Sequence, residues 1–215
     1  MDYIDKEKHI ENYLFNDAKS LLENKYYYFW VIDTKDKDTK EEITQFFMGL
    51  IKDLLVYEKS SKLILVFFER IDFDLENIVA SLLDDFSYKF SLYASPKMYF
   101  DNNNFLSLFN LYDKYYSLLN RQYITTGDLL SIISNINYVD FEIMKPFIIR
   151  PILEDEQMLN LVNAMFEASL NVSKTADLVY MHRNTIIKRL ENLKNETGVN
   201  IQKFKEAVLV YELLK

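Results

Sequence analysis

Cysteine is absent from the 215 residues, and histidine occurs only at His9 and His182. Without thiols there is no disulfide framework, no Cys-ligated zinc or iron–sulfur cluster and no thiol nucleophile. Two histidines leave little material for a multi-His metal site or a Ser-His-Asp constellation. Glycine and proline are scarce, three of each, while hydrophobic residues reach 49% and charged residues 27%. That balance excludes disordered and collagen-like chains, which need low apolar content or dense Gly and Pro. Long apolar runs are missing too. The longest, 26–32 and 63–68, fall far short of the ~20 residues of a membrane-spanning helix. Residues 1–8 are heavily charged and lack the apolar core of a secretory signal. The expectation is a folded, non-redox, cytoplasmic protein with no membrane association.

The net charge is −8, from 25 Lys and Arg against 33 Asp and Glu. Phosphate affinity is carried mainly by Lys and Arg, so the total argues against nucleic acid, but its distribution does not. Residues 1–153 carry −7 and residues 154–215 only −1. Within 171–194, Lys174, Arg183, Lys188, Arg189 and Lys194 outweigh Asp177 and Glu191, giving +3. A short basic segment in an acidic chain suits local DNA contact with weak non-specific affinity.

Apolar periodicity divides the chain in two. Residues 1–25 carry Ile10, Tyr13, Leu14, Ala18, Leu21 and Leu22 at helical spacing. The aromatic and β-branched run 26–32 predicts a buried strand, closed by a charged turn at 33–40. A helix over 41–55 follows, then a strand over 62–68, apolar on both faces and so central in its sheet. A helix over 74–86 and a strand over 88–93 come next. Asn102, Asn103 and Asn104 form a loop and cap before an aromatic helix over 105–119, and Thr126-Gly127-Asp128 opens a helix over 129–136. This β-α-β-α-β-α-α order predicts an α/β sandwich. Pro146 and Pro151 bracket a short link, and everything from Glu154 onward reads as helical. The expected organisation is an α/β domain over 1–140, a linker over 141–153 and an all-α domain over 154–215.

The informative segment lies in that last domain. A helix over 156–170 ends at Asn171-Val172-Ser173, where Ser173 is a suitable N-cap. A short helix over 174–179, a turn at Tyr180-Met181-His182 and a longer helix over 183–196 follow. Gly198 sits where a C-terminal cap belongs. A short helix, a tight turn and a second helix with a basic first half is the layout of a DNA-reading helix-turn-helix. Ala176 is placed where the two helices cross most closely.

The sequence Asn171-Val172-Ser173-Lys174-Thr175-Ala176, then Met181-His182-Arg183-Asn184-Thr185, Arg189-Leu190 and Thr197-Gly198, resembles the C-terminal helix-turn-helix of the purine-catabolism and sugar-diacid regulators, the PucR/CdaR family of bacteria. The resemblance covers roughly the last 60 residues, at the C-terminal end where such regulators carry this domain. It implies a DNA-binding transcriptional regulator. Such regulators often place a degenerate GGDEF-like α/β domain before the DNA-binding module, and the order of elements above is similar to it. No Gly-Gly-Asp/Glu-Glu-Phe loop occurs, so no nucleotidyl cyclase activity, indeed no enzyme activity, is expected, and no cofactor. Longer relatives carry a further sensory domain upstream, which this chain is expected to lack.

Within the motif, Arg183 and Lys188 are the candidates for entering the major groove, since the first residues of a reading helix meet base edges and Arg favours guanine O6 and N7. A solvated basic face is the plainer alternative. His182 and Asn184 flank Arg183, and His182 can equally cap the helix. Ser173, Lys174 and Thr185 are placed for phosphates, which position without specifying sequence. Arg189 can meet a phosphate or pair with Glu191 or Glu196. Two positions depart from the family pattern. Asp177 stands where the family is often basic, and Ile187 stands where a long polar residue is common, although Ile187 can touch a thymine methyl.

The acidic run Asp33, Asp36 and Asp38 alternates with Lys35 and Lys37 and lacks the Gly and distal Glu of a calcium loop, so it reads as a solvated turn. The aromatic stretches lack interleaved Arg or Lys around 26–30 and read as core. The leading expectation is a regulator acting on double-stranded DNA as a homodimer, joined through the first domain and the helix 105–119, with half-sites about one helical turn or a multiple apart. A small-molecule or protein effector on the first domain stays open. The competing class is a non-enzymatic signalling or protein-interaction module with a weakened DNA-binding domain, supported by Asp177, Ile187 and the acidic total.

Overall fold

The computed structural model describes residues 3–16, 26–85, 89–100 and 104–215. Ala18, Leu21, Leu22, Tyr88, Asn102 and Asn103, which entered the reading of the sequence, lie outside them.

The aromatic run becomes strand β1 (Tyr26–Asp33), in which Tyr27 to Ile32 are all buried. A strand can hide both faces only if both are covered, and they are. Tyr28, Trp30 and Ile32 share a core with Ile43 and Phe47 of α2 (Lys37–Leu50) and Val79 and Leu82 of α3 (Leu75–Asp85). On the other face Tyr27 meets Tyr13 of α1 (Tyr3–Phe15), and Phe29 meets Phe105 of α4 (Phe105–Leu119). Edge-to-face geometry, as in the 5.0 Å contact of Trp30 with Phe47, adds about 0.5–1.5 kcal/mol per pair beyond burial.

β1 is flanked antiparallel by β3 (Lys62–Phe67) and β4 (Ser91–Ala94), with Trp30 opposite Leu65 on one side and Ala94 on the other. β2 (Leu55–Lys59) pairs antiparallel with β3, and β6 (Tyr123–Ile124) runs parallel to β4, so the order is β2-β3-β1-β4-β6. The small β5 (Met98–Tyr99) pairs with the start of β1. The first four strands with α2 and α3 make the β-α-β-β-α-β arrangement, in a mixed sheet.

Strands β2, β5 and β6 were not expected: β5 and β6 are two residues long, and β2 is a five-residue strand that begins at Leu55, where the helix over 41–55 was expected to end. That helix starts earlier and stops at Leu50. Asp36 caps it, accepting from the Thr39 N–H at 3.0 Å. These bonds from Thr39 hold the Asp36 carboxyl below its ordinary 3.8. The acidic turn is thus the start of a helix and an anchor for a lysine: Asp33 faces Lys62 at 3.5 Å, and Asp113 meets the same ammonium at 2.6 Å. Burial pushes the Lys62 ammonium down, but the Asp113 hydrogen bond and the two carboxylate charges outweigh it and hold it above 10.5. Among the described residues, no group of three or more His, Asp or Glu side chains is arranged to hold a metal.

The aromatic helix α4, expected at a dimer interface, turns its apolar face into its own unit. Phe105, Leu108, Phe109, Leu111, Tyr112, Tyr115 and Leu119 are buried, because a helix with so wide an apolar face satisfies it against its own sheet: Tyr112 stacks on Tyr93 of β4.

The helices that follow are α5 (Thr126–Ile136), α6 (Tyr138–Leu153), α7 (Glu156–Glu167), α8 (Val172–Val179), α9 (Arg183–Thr197) and α10 (Phe204–Leu214). Two units result, Met1–Ile124 and Thr125–Lys215. The linker expected over 141–153 is instead the body of α6, with Pro146 and Pro151 inside it. An interior proline costs ~3 kcal/mol by removing a backbone bond. Here Phe141, Met144, Phe147, Ile148 and Ile152 are buried against α5, α7, α9 and α10, and burial of a large side chain is worth ~1.5–3 kcal/mol each. Packing therefore overrides the two prolines. No described helix is long and apolar enough to cross a membrane.

Candidate nucleic-acid interface

Three caps set the geometry of the pair α8–α9. The first is Asn171, whose side chain accepts from the Lys174 N–H at 3.1 Å; Ser173, expected as the cap, is the second residue of α8 and is exposed. Asn171 wins because its carboxamide oxygen stands immediately before the first helical residue. The second is His182, whose Nδ1 accepts from the Asn184 N–H at 3.2 Å, so the histidine caps α9. The third is Gly198, in the left-handed region at φ 69°, which ends α9 with its N–H on the Lys194 carbonyl. Between α8 and α9 the chain reverses at Tyr180, also left-handed at φ 52° and 96% exposed.

Thr175 is the fully buried residue of α8. Its hydroxyl donates to the Asn171 carbonyl at 2.9 Å and lies 3.2 Å from the Met165 sulfur of α7, so the hydroxyl is satisfied inside the core. Ala176, expected at the closest crossing, is only half-buried.

On α9, Ile186, Leu190, Leu193 and Thr197 are buried. The opposite side carries Asn184, Lys188 and Glu191, all exposed, and Arg183 and Thr185 are exposed in the first turn. Lys174, also exposed, stands in the first turn of α8. Arg183, Lys188 and Lys174 form no ion pair among the described residues. Arg189 differs. It is half-buried, donates to the Gln157 side chain and lies 4.0 Å from Asp155, the residue that caps α7. It therefore braces α9 against α7 rather than pairing along its own helix. Ile187 is half-buried beside Arg183. Asp177 is exposed on α8.

The residues therefore sort themselves. Asn171, Thr175, His182, Leu190, Thr197 and Gly198 build caps, turn and core, and Arg183, Asn184, Thr185, Lys188, Ser173 and Lys174 are left with free polar ends. The sequence reading missed Asn171 and Thr175 as structural anchors; for Asn171, an Asn standing directly before a helical run was the available signal.

Residues 158–215 match the family model of the PucR C-terminal helix-turn-helix domain. This segment is similar to PucR helix-turn-helix domains. The chain thus carries the DNA-binding type of domain found in transcriptional regulators. Across its whole length it is also similar to the regulator of polyketide synthase expression from Bifidobacterium adolescentis, at 15% identity and a TM-score of 0.46, over 100% of this chain and 92% of that one. No curated protein matches the chain. The PucR domain begins inside α7, so α5 and α6 lie outside the matched segment while packing against its helices.

Proposed function

We propose that the chain is a non-enzymatic transcriptional regulator that reads the major groove of double-stranded DNA with α9. Arg183 and Lys188 reach base edges with Asn184 beside them, and Ile187 meets a thymine methyl. Ser173, Lys174 and Thr185 hold phosphates. The observation that carries the reading is the set of exposed, unpaired cations on α8 and on the outer face of α9, in a domain whose inner face is closed by Ile186, Leu190 and Leu193. Arg189 acts as a brace, and His182 sets the start of the helix.

Few contacts come from one such motif, so a homodimer on two half-sites is part of the proposal, with a surface other than the buried face of α4. The α/β unit is the regulatory part, a degenerate GGDEF-like domain by its β-α-β-β-α-β order, and it receives a small-molecule or protein effector. The test is selection of bound duplexes from a random pool by the full chain, followed by titration on the selected site. Recovery of a two-fold symmetric site supports the reading, and an unenriched pool defeats it.

The alternative, a protein-interaction module, is favoured by one specific feature. A groove of about 600 Å³ between α7 and α10 is lined by Phe166, Leu170, Phe204, Val208 and Tyr211, and Phe204 is 75% exposed. That reading takes over if neither selected nor random duplex is bound at low salt.

A further inference from the structure

The end of the reading helix is tied to a segment that lies outside the matched domain. The Gly127 N–H, in the first turn of α5, donates to the Gly198 carbonyl at 3.0 Å. The approach leaves no room for side chains on either partner. A Cβ on Gly127 would stand 2.4 Å from the Glu206 carboxylate, and one on Gly198 would stand 2.8 Å from the Thr126 side chain. Glu206 is itself nearly buried and accepts from the Asn200 N–H at 2.6 Å, while its other oxygen meets Lys203 at 3.2 Å. Thr197 completes the knot: its hydroxyl donates to the Leu193 carbonyl at 2.8 Å and accepts from the Val199 N–H at 3.1 Å. The starts of α5 and α10 and the end of α9 therefore meet at one point, where a buried carboxylate and two glycines allow backbone to touch backbone.

We infer that Gly127 and Glu206 are positioning residues for DNA reading: they clasp the C-terminal end of α9 and so fix the angle at which its first turn is presented. The inference rests on the proposed reading of DNA by α9. A helix pinned at one end by a backbone bond and braced near its middle by Arg189 has little freedom to tilt, and a small tilt at Gly198 is carried along the whole helix to Arg183. The clasp lies two residues from the start of its own unit. Thr125, whose side chain caps α5 through a reciprocal pair with Asp128, follows without intervening residues on Ile124 of β6, the last strand of the α/β unit. The functional DNA-binding module is accordingly 125–215, and α5 belongs to it.

The test uses the full chain and the variants Gly127→Ala, Glu206→Ala and the pair together. In Gly127→Ala the new methyl displaces the Glu206 carboxylate and stretches the bond to Gly198. Affinity for the selected duplex should fall about tenfold, since a buried partner is left unmade, while affinity for a scrambled duplex stays within about twofold. The double variant should lose less than the two single losses combined, because both act on one clasp. A merely structural role would lower both duplexes by the same factor, in step with the folded fraction, and that result overturns the inference. Additive losses overturn it as well. Amide hydrogen exchange in the DNA-free chain separates the clasp from the reading. Gly127→Ala should speed exchange of the residue-127 amide, the donor to the Gly198 carbonyl, at a temperature where the chain is folded. Unchanged exchange refutes the clasp, whereas faster exchange in a chain whose unmutated form binds no duplex keeps the clasp and removes its role in DNA reading.

Discussion

Arg189 offers the sharpest choice between a structural and a DNA-facing role on α9. Replacing it with alanine removes three things: the hydrogen bond to Gln157, the ion pair to Asp155 at 4.0 Å, and the packing of its stem. The hydrogen bond contributes about 0.5–1.5 kcal/mol. The ion pair adds at most a few tenths, because Asp155 is 52% exposed and surface pairs are worth about 0–1 kcal/mol. The half-buried stem covers apolar surface and adds a similar small amount. A total of about 1–2 kcal/mol lowers the midpoint of the helical unit by roughly 4–8 °C for each kcal/mol. Thermal unfolding followed by helical circular dichroism reads this directly, and a parallel titration gives the slope of log K against log salt. The structure predicts a lower midpoint with an unchanged salt slope in Arg189→Ala. A slope shallower by about one, with an unchanged midpoint, would make Arg189 a phosphate contact and refute the brace.

Three further outcomes follow from single contacts. His182→Ala should cost the helical unit about 1 kcal/mol through loss of the α9 cap, with His182→Asn restoring most of it; equal midpoints for all three chains would show the cap to be inert. Tyr180→Gly should stabilise by about 0.5–1 kcal/mol, since a non-glycine residue at φ 52° is strained there and the ring is exposed; a loss of stability in urea would contradict this. For Lys62 the sign is set by its raised ammonium: the contribution is fully present below about 10.5 and is lost as pH rises through the higher folded value. Asp113→Asn should therefore cost the α/β unit about 1–2 kcal/mol at neutral pH and flatten the decline above pH 10.5, and an alkaline decline as steep as in the unmutated chain would refute the assignment.

Much of the architecture was legible where side-chain pattern and local geometry agree. The run 26–32 announced β1 because every residue in it is apolar or aromatic, and α4 emerged at 105–119 as Phe105–Leu119. The helix-turn-helix was legible because its turn and closing cap are written in His182 and Gly198, whose roles are local, although the cap of α8 falls on Asn171 and not on Ser173. What escaped notice depends on contacts distant in sequence. Pro146 and Pro151 spell a break, and only the buried faces of α6 show why the helix persists. Strands β5 and β6 are too short to have a period. The pairing of Arg189 with α7, 32 positions away, and the meeting of Gly127 with Gly198 are tertiary events that no spacing rule contains. Which cations are free to meet DNA was likewise undecidable until Arg189 had been separated from Arg183, Lys188 and Lys174.

The central claim, that α9 reads DNA from its first turn, is tested most directly by a salt-resolved affinity titration of the full chain on a selected duplex and a scrambled one. The comparison needs the unmutated protein, Arg183→Ala and Lys174→Ala. Arg183→Ala should lose about 1–3 kcal/mol on the selected duplex and much less on the scrambled one, while Lys174→Ala should weaken both nearly equally and reduce the salt slope by about one. Equal losses on both duplexes for Arg183→Ala would make Arg183 a phosphate contact and contradict the placement of the reading helix. Absence of binding by the unmutated chain to either duplex at low salt would contradict the account as a whole.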